Sequence, residues 1–210
     1  MNNLNRENIF FDIGANFGQI AITIAKNVGC KCYCFEPIPV TYILLKRNIE
    51  LNQIANIIAE PIAVSNESGV INMCRENYTL AGSRVFAKEQ NKVNAHSHYY
   101  TVKRVTIDSY VKEMNIGKID MIKIDCEGHD LQVLKGAVDT IKKYSPDILC
   151  EIHFTGGQGY TAYEAFTFLK KRLEYRCCFG FNDDKREIEK IDSIQPNISN
   201  YLFTNRNIIL

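Results

Sequence analysis

The chain has 210 residues, 46% of them hydrophobic and 23% charged, a balance that closes a core without disulfides or metals. Its 25 lysines and arginines against 24 aspartates and glutamates leave a net charge of +1, which argues against the clustered basic excess that nucleic acids and anionic membranes require. A small-molecule partner is the class that remains.

The polar start, MNNLNRENIFF, lacks the layout of a secretory signal, and no apolar run reaches the ~18 residues of a membrane span, so a reduced, cytoplasmic setting is expected. The eight cysteines, at 30, 32, 34, 74, 126, 150, 177 and 178, lack zinc-ribbon spacing and read as small buried hydrophobes. IFFDI (9–13) is an apolar strand, and behind it Phe17, Ile20, Ala21, Ile24 and Ala25 recur at helical period. The alternation repeats as CKCYCFE (30–36) before a helix near 40–52, then IIAEPIAV (57–64), then IDMIKID (119–125) before a helix near 129–142. DILCEIH (147–153) precedes a last helix near 161–174. Repeated strand and helix predict a mainly parallel α/β sheet covered on both faces, because parallel strands need crossover connections. Two further strands, near 175–181 and 200–205, are expected as a hairpin at the sheet edge. Between Cys74 and Tyr99 a polar stretch breaks the rhythm, so residues about 75–98 are expected as an insertion over the site, with Tyr78, Arg84, His96 and His98 as candidate contacts. No linker divides the chain, which reads as one domain over 1–210.

In an open parallel sheet, ligands bind beyond the carboxyl ends of the strands. In FFDIGANFG, Asp12 closes the first strand, while Gly14 and Gly18 supply a tight turn into a helix whose free N–H groups favour an anion. Glu36 ends the second strand, 18 residues beyond Gly18, the spacing of an acid that grips a ribose diol. Either a dinucleotide or S-adenosylmethionine would satisfy that pair. The glycine spacing separates them: with Asn16 in the middle, the turn reads G-x-x-x-G and receives a pyrophosphate poorly. Asp12 and the helix N-terminus suit instead an ammonium and a carboxylate.

After IDMIKID, the residues Asp125, Glu127, His129 and Asp130 crowd one strand end. Two carboxylates within three residues repel each other unless a cation, a proton or an acceptor hydroxyl lies nearby. Asp130 has the plainer role of capping the next helix. Glu151 and His153 alternate along the following strand and would join the cluster if the two strands are neighbours. A Mg²⁺ ion on Asp125, Glu127 and Glu151 is a minor alternative.

Together, FFDIGANFG, CFEPIP, PIAVSNESG, VTIDSYV, IDMIKIDCEGHDLQVLKGA and ILCEIH resemble the FkbM family of S-adenosylmethionine-dependent methyltransferases over roughly residues 9–205. Ile119 to Ala137 is the most specific part of the match. His129 and Asp130 stand where the family block more often has Ala-Glu, and the first strand begins where family members often carry a longer N-terminal segment, so contacts from such a segment are not assumed. The resemblance implies a Rossmann-like seven-stranded sheet, mainly parallel with an antiparallel last strand, that transfers a methyl group to an oxygen of a sugar or other metabolite. It implies Asp12, Gly14, Asn16 and Gly18 on the methionine side of the cofactor, Glu36 at the ribose, and Ala63 and Val64 near the adenine. Asp125 and Glu127 would lie by the transferred methyl. Asp125 or His153 is the expected base, an imidazole being better matched to neutral pH, and Glu151 and His129 are candidate acceptor contacts. Two rival readings are a non-catalytic cofactor-binding module and an NAD-dependent oxidoreductase.

Overall fold

The computed structural model describes residues 4–76, 84–85, 97–182 and 185–206; Tyr78 and His96 lie outside the described residues. In chain order the elements are β1 (Ile9–Ile13), α1 (Gln19–Asn27), β2 (Lys31–Phe35), α2 (Pro39–Leu51), β3 (Ile57–Glu60), β4 (Ala63–Val64), β5 (Gly69–Glu76), β6 (Arg84–Val85) and β7 (Ser97–Val105). There follow α3 (Ile107–Glu113), β8 (Met121–Ile124), α4 (Asp130–Lys135), α5 (Val138–Tyr144), β9 (Asp147–Glu151), α6 (Ala162–Thr167, continued by a π turn), β10 (Cys177–Asn182), β11 (Glu187–Lys190) and β12 (Asn200–Thr204).

The main sheet has the order β11-β10-β12-β9-β8-β1-β2-β3. Strands β9, β8, β1, β2 and β3 are parallel neighbours, as the strand and helix alternation predicts. Successive residues of β1 turn to opposite faces, Phe10 toward Ala21, Ile24 and Leu45 and Phe11 toward Tyr110 and Leu134. Both phenylalanines are fully buried, and each contributes about 2–3 kcal/mol of hydrophobic stabilisation. The sheet has eight strands rather than the expected seven, because β11 pairs along the outer edge of β10. The two late strands pair antiparallel as expected, β10 on β12, but β11 lies between them in the chain and takes the edge. β12 inserts between β9 and β10, antiparallel to both, and turns Tyr201 and Phe203 to one completely buried face.

A second sheet, β4-β7-β5-β6, accounts for both ends of the expected insertion. The segment IIAEPIAV is two strands, because Pro61 has no N–H for a ladder, and Ala63–Val64 passes into this second sheet. Ile71, Met73, Tyr100 and Val102 pack it onto Ile38 and Ala63. The single helix expected near 129–142 is broken into α4 and α5 because Gly136 passes against the chain at Ser65, where a Cβ would lie 2.0 Å from the carbonyl oxygen. No helix among the described residues is long and apolar enough to cross a membrane.

Candidate active site

A cavity of about 370 Å³ opens beyond the carboxyl ends of β1, β2 and β8, within the range of small-molecule sites, roughly 300–1,000 Å³. Asp12, Gly14, Asn16, Glu36, Ala63, Val64, Asp125, Glu127 and His129 all line it, so nine of the residues singled out above converge there. Met73 and Val85 of the small sheet form part of the wall. Gly18 does not reach the wall: a Cβ there would meet Leu45 Cδ1 at 2.5 Å, so this glycine lets α2 pack against the turn.

The turn after β1 is held from below. The N–H groups of Gly14 and Ala15 both donate to the carbonyl of Phe35, each at 3.1 Å, and that of Asn16 donates to Glu36 Oε2 at 3.0 Å. Three successive N–H groups are therefore committed within the protein, unlike a dinucleotide loop, which turns such groups toward a pyrophosphate. Asn16 sits at φ 52, a left-handed conformation that asparagine tolerates. The other oxygen of Glu36 accepts from Ile38 N–H at 2.9 Å. Glu36 is 6% exposed, and burial pushes its carboxyl up to about 7 despite these two donors.

A line of polar contacts runs from the cavity floor to the surface. Asp12 is 1% exposed, and its Oδ1 lies 3.3 Å from Nζ of Lys123, whose position beside it follows from the register of β1 on β8. Lys123 Nζ is also 3.2 Å from Asp125 Oδ2. Burial alone would lower the Lys123 ammonium, but the Asp12 and Asp125 carboxylates outweigh it and hold its pKa above the ordinary lysine value. Burial likewise pushes Asp12 up, against the opposing pull of Lys123. Asp125 is hydrogen-bonded on its other side to Glu151, whose carboxyl is pushed up to about 8 by burial and by the Asp125 charge, so that it keeps its proton at neutral pH and donates it. Glu151 Oε2 is in turn 3.3 Å from Nε2 of the exposed His153. Glu151 and His153 thus lie outside the cavity wall yet join the cluster through Asp125, as neighbouring strands require.

On the opposite wall, His129 Nε2 is 2.9 Å from Ser65 Oγ, and that hydroxyl donates to Asn66 Oδ1 at 3.1 Å, so the imidazole is the donor to Ser65. Burial and the nearby Arg104 push His129 down to about 4, which keeps it neutral. Asp130 does more than cap a helix. Its Oδ1 accepts from Cys126 N–H at 2.8 Å, and Oδ2 accepts from Gly128 N–H and from the Tyr160 hydroxyl, both at 3.2 Å. It thereby ties the turn that carries Glu127, itself at φ 51, to the loop after β9. Asp130→Ala is expected to cost about 3–4 kcal/mol of stability in urea denaturation, and Tyr160→Phe about 1 kcal/mol, because the first orphans two buried N–H groups and the second removes one hydrogen bond.

Five buried side-chain polar atoms among the described residues have no hydrogen-bond partner, and four of them belong to residues lining this cavity: Asp12 Oδ1 and Oδ2, Asn16 Oδ1 and Thr41 Oγ1. Buried polar groups are paired in almost all native proteins, so the concentration of exceptions at one cavity points to a polar ligand. Lys123 and Thr41 were not among the residues singled out from sequence. A lysine inside the apolar run MIKI was the available signal for the first. No group of three His, Cys, Asp or Glu side chains among the described residues is arranged to hold a metal ion.

An open parallel sheet with an antiparallel strand inserted near one edge, and an acid closing its second strand beside a glycine turn, defines the Rossmann-like methyltransferase class. The chain belongs to the FkbM family: the model of the methyltransferase FkbM domain matches residues 12–177. It is 26% identical over 147 residues to the hexuronic acid methyltransferase AglP of Haloferax volcanii, covering 70% of this chain and 56% of that one. It is also 26% identical over 160 residues to methyltransferase sdnD of Sordaria araneosa, covering 64% and 62%. The chain thus spans less than two thirds of the length of these curated relatives. The crystal structure of methyltransferase FkbM from Methylobacillus flagellatus KT superimposes with a TM-score of 0.61 at 12% identity, over 96% of this chain and 44% of that one.

Proposed function

We propose that the chain binds S-adenosylmethionine in this cavity and methylates a hydroxyl oxygen of a sugar or related small metabolite. The carrying observation is the set of four buried polar atoms without a hydrogen bond beside Glu36, in a cavity where the N–H groups of Gly14, Ala15 and Asn16 are committed within the protein rather than turned toward a pyrophosphate. Family membership supports the reaction class, and the hexuronic acid methyltransferase among the relatives supports a sugar acceptor.

Bound S-adenosylmethionine would supply an electrophilic methyl group on a sulfonium. Glu36 would hold the ribose diol, Asp12 and Asn16 the methionine ammonium, and Ala63 the edge of the adenine, while Gly14 keeps the turn close to Asp125. Asp125, with Lys123 on one side and Glu151 on the other, would orient the acceptor hydroxyl, and Glu127 at the rim would face the acceptor with His129. Asp125, at the cavity wall, would take the hydroxyl proton as the new C–O bond forms, and Glu151 would pass a proton on to His153 at the surface. We assign no metal to this reaction, because a Mg²⁺ ion on Asp125, Glu127 and Glu151 would compete with the Lys123 ammonium already at Asp125.

Calorimetric titration with S-adenosylmethionine, S-adenosylhomocysteine and NAD tests the reading, followed by incubation with a panel of sugars and detection of S-adenosylhomocysteine. Binding of both methionine-derived ligands but not NAD, and product formation with a saccharide, is the expected result. Preference for NAD would overturn the cofactor assignment, and cofactor binding without turnover on any hydroxyl acceptor would favour a non-catalytic module.

A further inference from the structure

Thr41 lies in the first turn of α2, is 2% exposed, lines the cavity, and leaves its hydroxyl without a hydrogen-bond partner. A buried helical threonine ordinarily returns that hydroxyl to a carbonyl one turn back, which makes the orphaned group conspicuous. The same face of α2 rests on the turn after β1. Leu45, one turn further on, is the side chain a Cβ at Gly18 would strike, and Asn48 Nδ2 donates to the carbonyl of Phe17 at 2.8 Å. Thr41 therefore points between that turn and the end of β2, where Glu36 stands.

The chemistry of the orphaned atoms narrows the ligand group. The Asp12 and Asn16 oxygens accept only, and each Glu36 oxygen already holds one backbone N–H and can only accept more. Of the four such atoms at this cavity, Thr41 Oγ1 is the one that can also donate. A ribose hydroxyl whose proton goes to Glu36 still presents lone pairs, which need a donor at this buried end of the cavity. We propose that Thr41 donates a hydrogen bond to a ribose hydroxyl of the bound adenosine, so that the diol is read by a donor as well as by an acceptor. This rests on the cofactor reading above, and it makes Thr41 a determinant of ribose against deoxyribose.

The test uses the full chain with Thr41→Val, which keeps the shape and removes the hydroxyl, and Thr41→Ser, which restores it. Each is titrated with S-adenosylhomocysteine, adenosine, 2′-deoxyadenosine and 3′-deoxyadenosine, and the melting of the ligand-free proteins is compared. Thr41→Val is expected to weaken S-adenosylhomocysteine and adenosine roughly 2- to 12-fold, the span of one neutral hydrogen bond, with Thr41→Ser near the unaltered chain. Against the deoxynucleoside that lacks the contacted hydroxyl, Thr41→Val and the unaltered chain should bind alike. The melting midpoint of ligand-free Thr41→Val should stay level or rise, because no bond within the protein is lost. Unchanged affinity in Thr41→Val, an equal loss against all four ligands, or a lowered ligand-free midpoint would each overturn the proposal and leave the cofactor reading standing. Failure of the unaltered, folded chain to bind S-adenosylhomocysteine would remove both.

Discussion

Glu36→Ala is expected to weaken S-adenosylhomocysteine binding by about 100-fold or more while leaving the chain folded. Each Glu36 oxygen anchors one backbone N–H, of Asn16 or of Ile38, and has one further lone pair for a ligand hydroxyl. Hydrogen bonds to a charged group are worth about 1.5–3 kcal/mol each, so losing two ligand contacts removes about 3–6 kcal/mol, and each 1.4 kcal/mol is tenfold in affinity. The variant also frees the Asn16 N–H and loosens the turn beneath the ligand.

The same residue sets the pH dependence. Burial pushes the Glu36 carboxyl of the ligand-free protein up to about 7, whereas ligand hydroxyls that donate to it favour its ionised form. Affinity should therefore rise between pH 6 and pH 8, by up to about tenfold, and the rise should vanish in Glu36→Ala. Stability of the free chain moves the other way. A carboxyl whose folded pKa is raised stabilises the fold while protonated, and that contribution is lost as pH rises from the ordinary carboxylate range through about 7. Titrations at pH 6, 7 and 8 on both proteins check the sign; a flat profile in the unaltered chain would mean that the ligand does not touch this carboxylate.

Gly14→Ala should be the most destabilising single change in the turn, at about 3–5 kcal/mol in urea denaturation, with ligand binding lost. Gly14 has φ 78, and a Cβ built on it would sit 1.9 Å from the carbonyl oxygen of Asp125. The left-handed backbone accounts for about 1–2 kcal/mol, and the rest comes from forcing β1 and β8 apart where Lys123 bridges Asp12 and Asp125. Gly159 is the control. It has φ 76 and nothing within 4 Å of a Cβ, so Gly159→Ala carries the backbone cost alone and should lose only about 1–2 kcal/mol. Equal losses at the two positions would show that crowding against Asp125 is not what requires glycine at 14.

The acids at the strand ends were legible because each interrupts an apolar run where a buried strand must stop: Asp12 after IFF, Glu36 after CYCF, Asp125 after MIKI. Alternation along ILCEIH was enough to place Glu151 and His153 on one side of their strand, and the two do meet at 3.3 Å. The small sheet escaped notice because β5 and β7 pack one face on a small apolar cluster around Ile38 and Ala63 and leave the rest exposed, which gives a weak period in a polar stretch. Gly136 offers no local sign that it marks a helix break, since the reason lies in Ser65, a residue far away in the chain.

The sequence by itself determined the parallel strands of the main sheet and most of the helices between them, which residues close those strands, and the family to which the chain belongs. These are properties of local period, of turn chemistry and of residue order. The tertiary structure alone decided that Lys123 lies between Asp12 and Asp125, that β12 enters between β9 and β10, and that the Thr41 hydroxyl is buried without a partner. Each of these depends on register between distant segments: periodicity tells which face a side chain turns to, and only the assembled fold tells what it meets there.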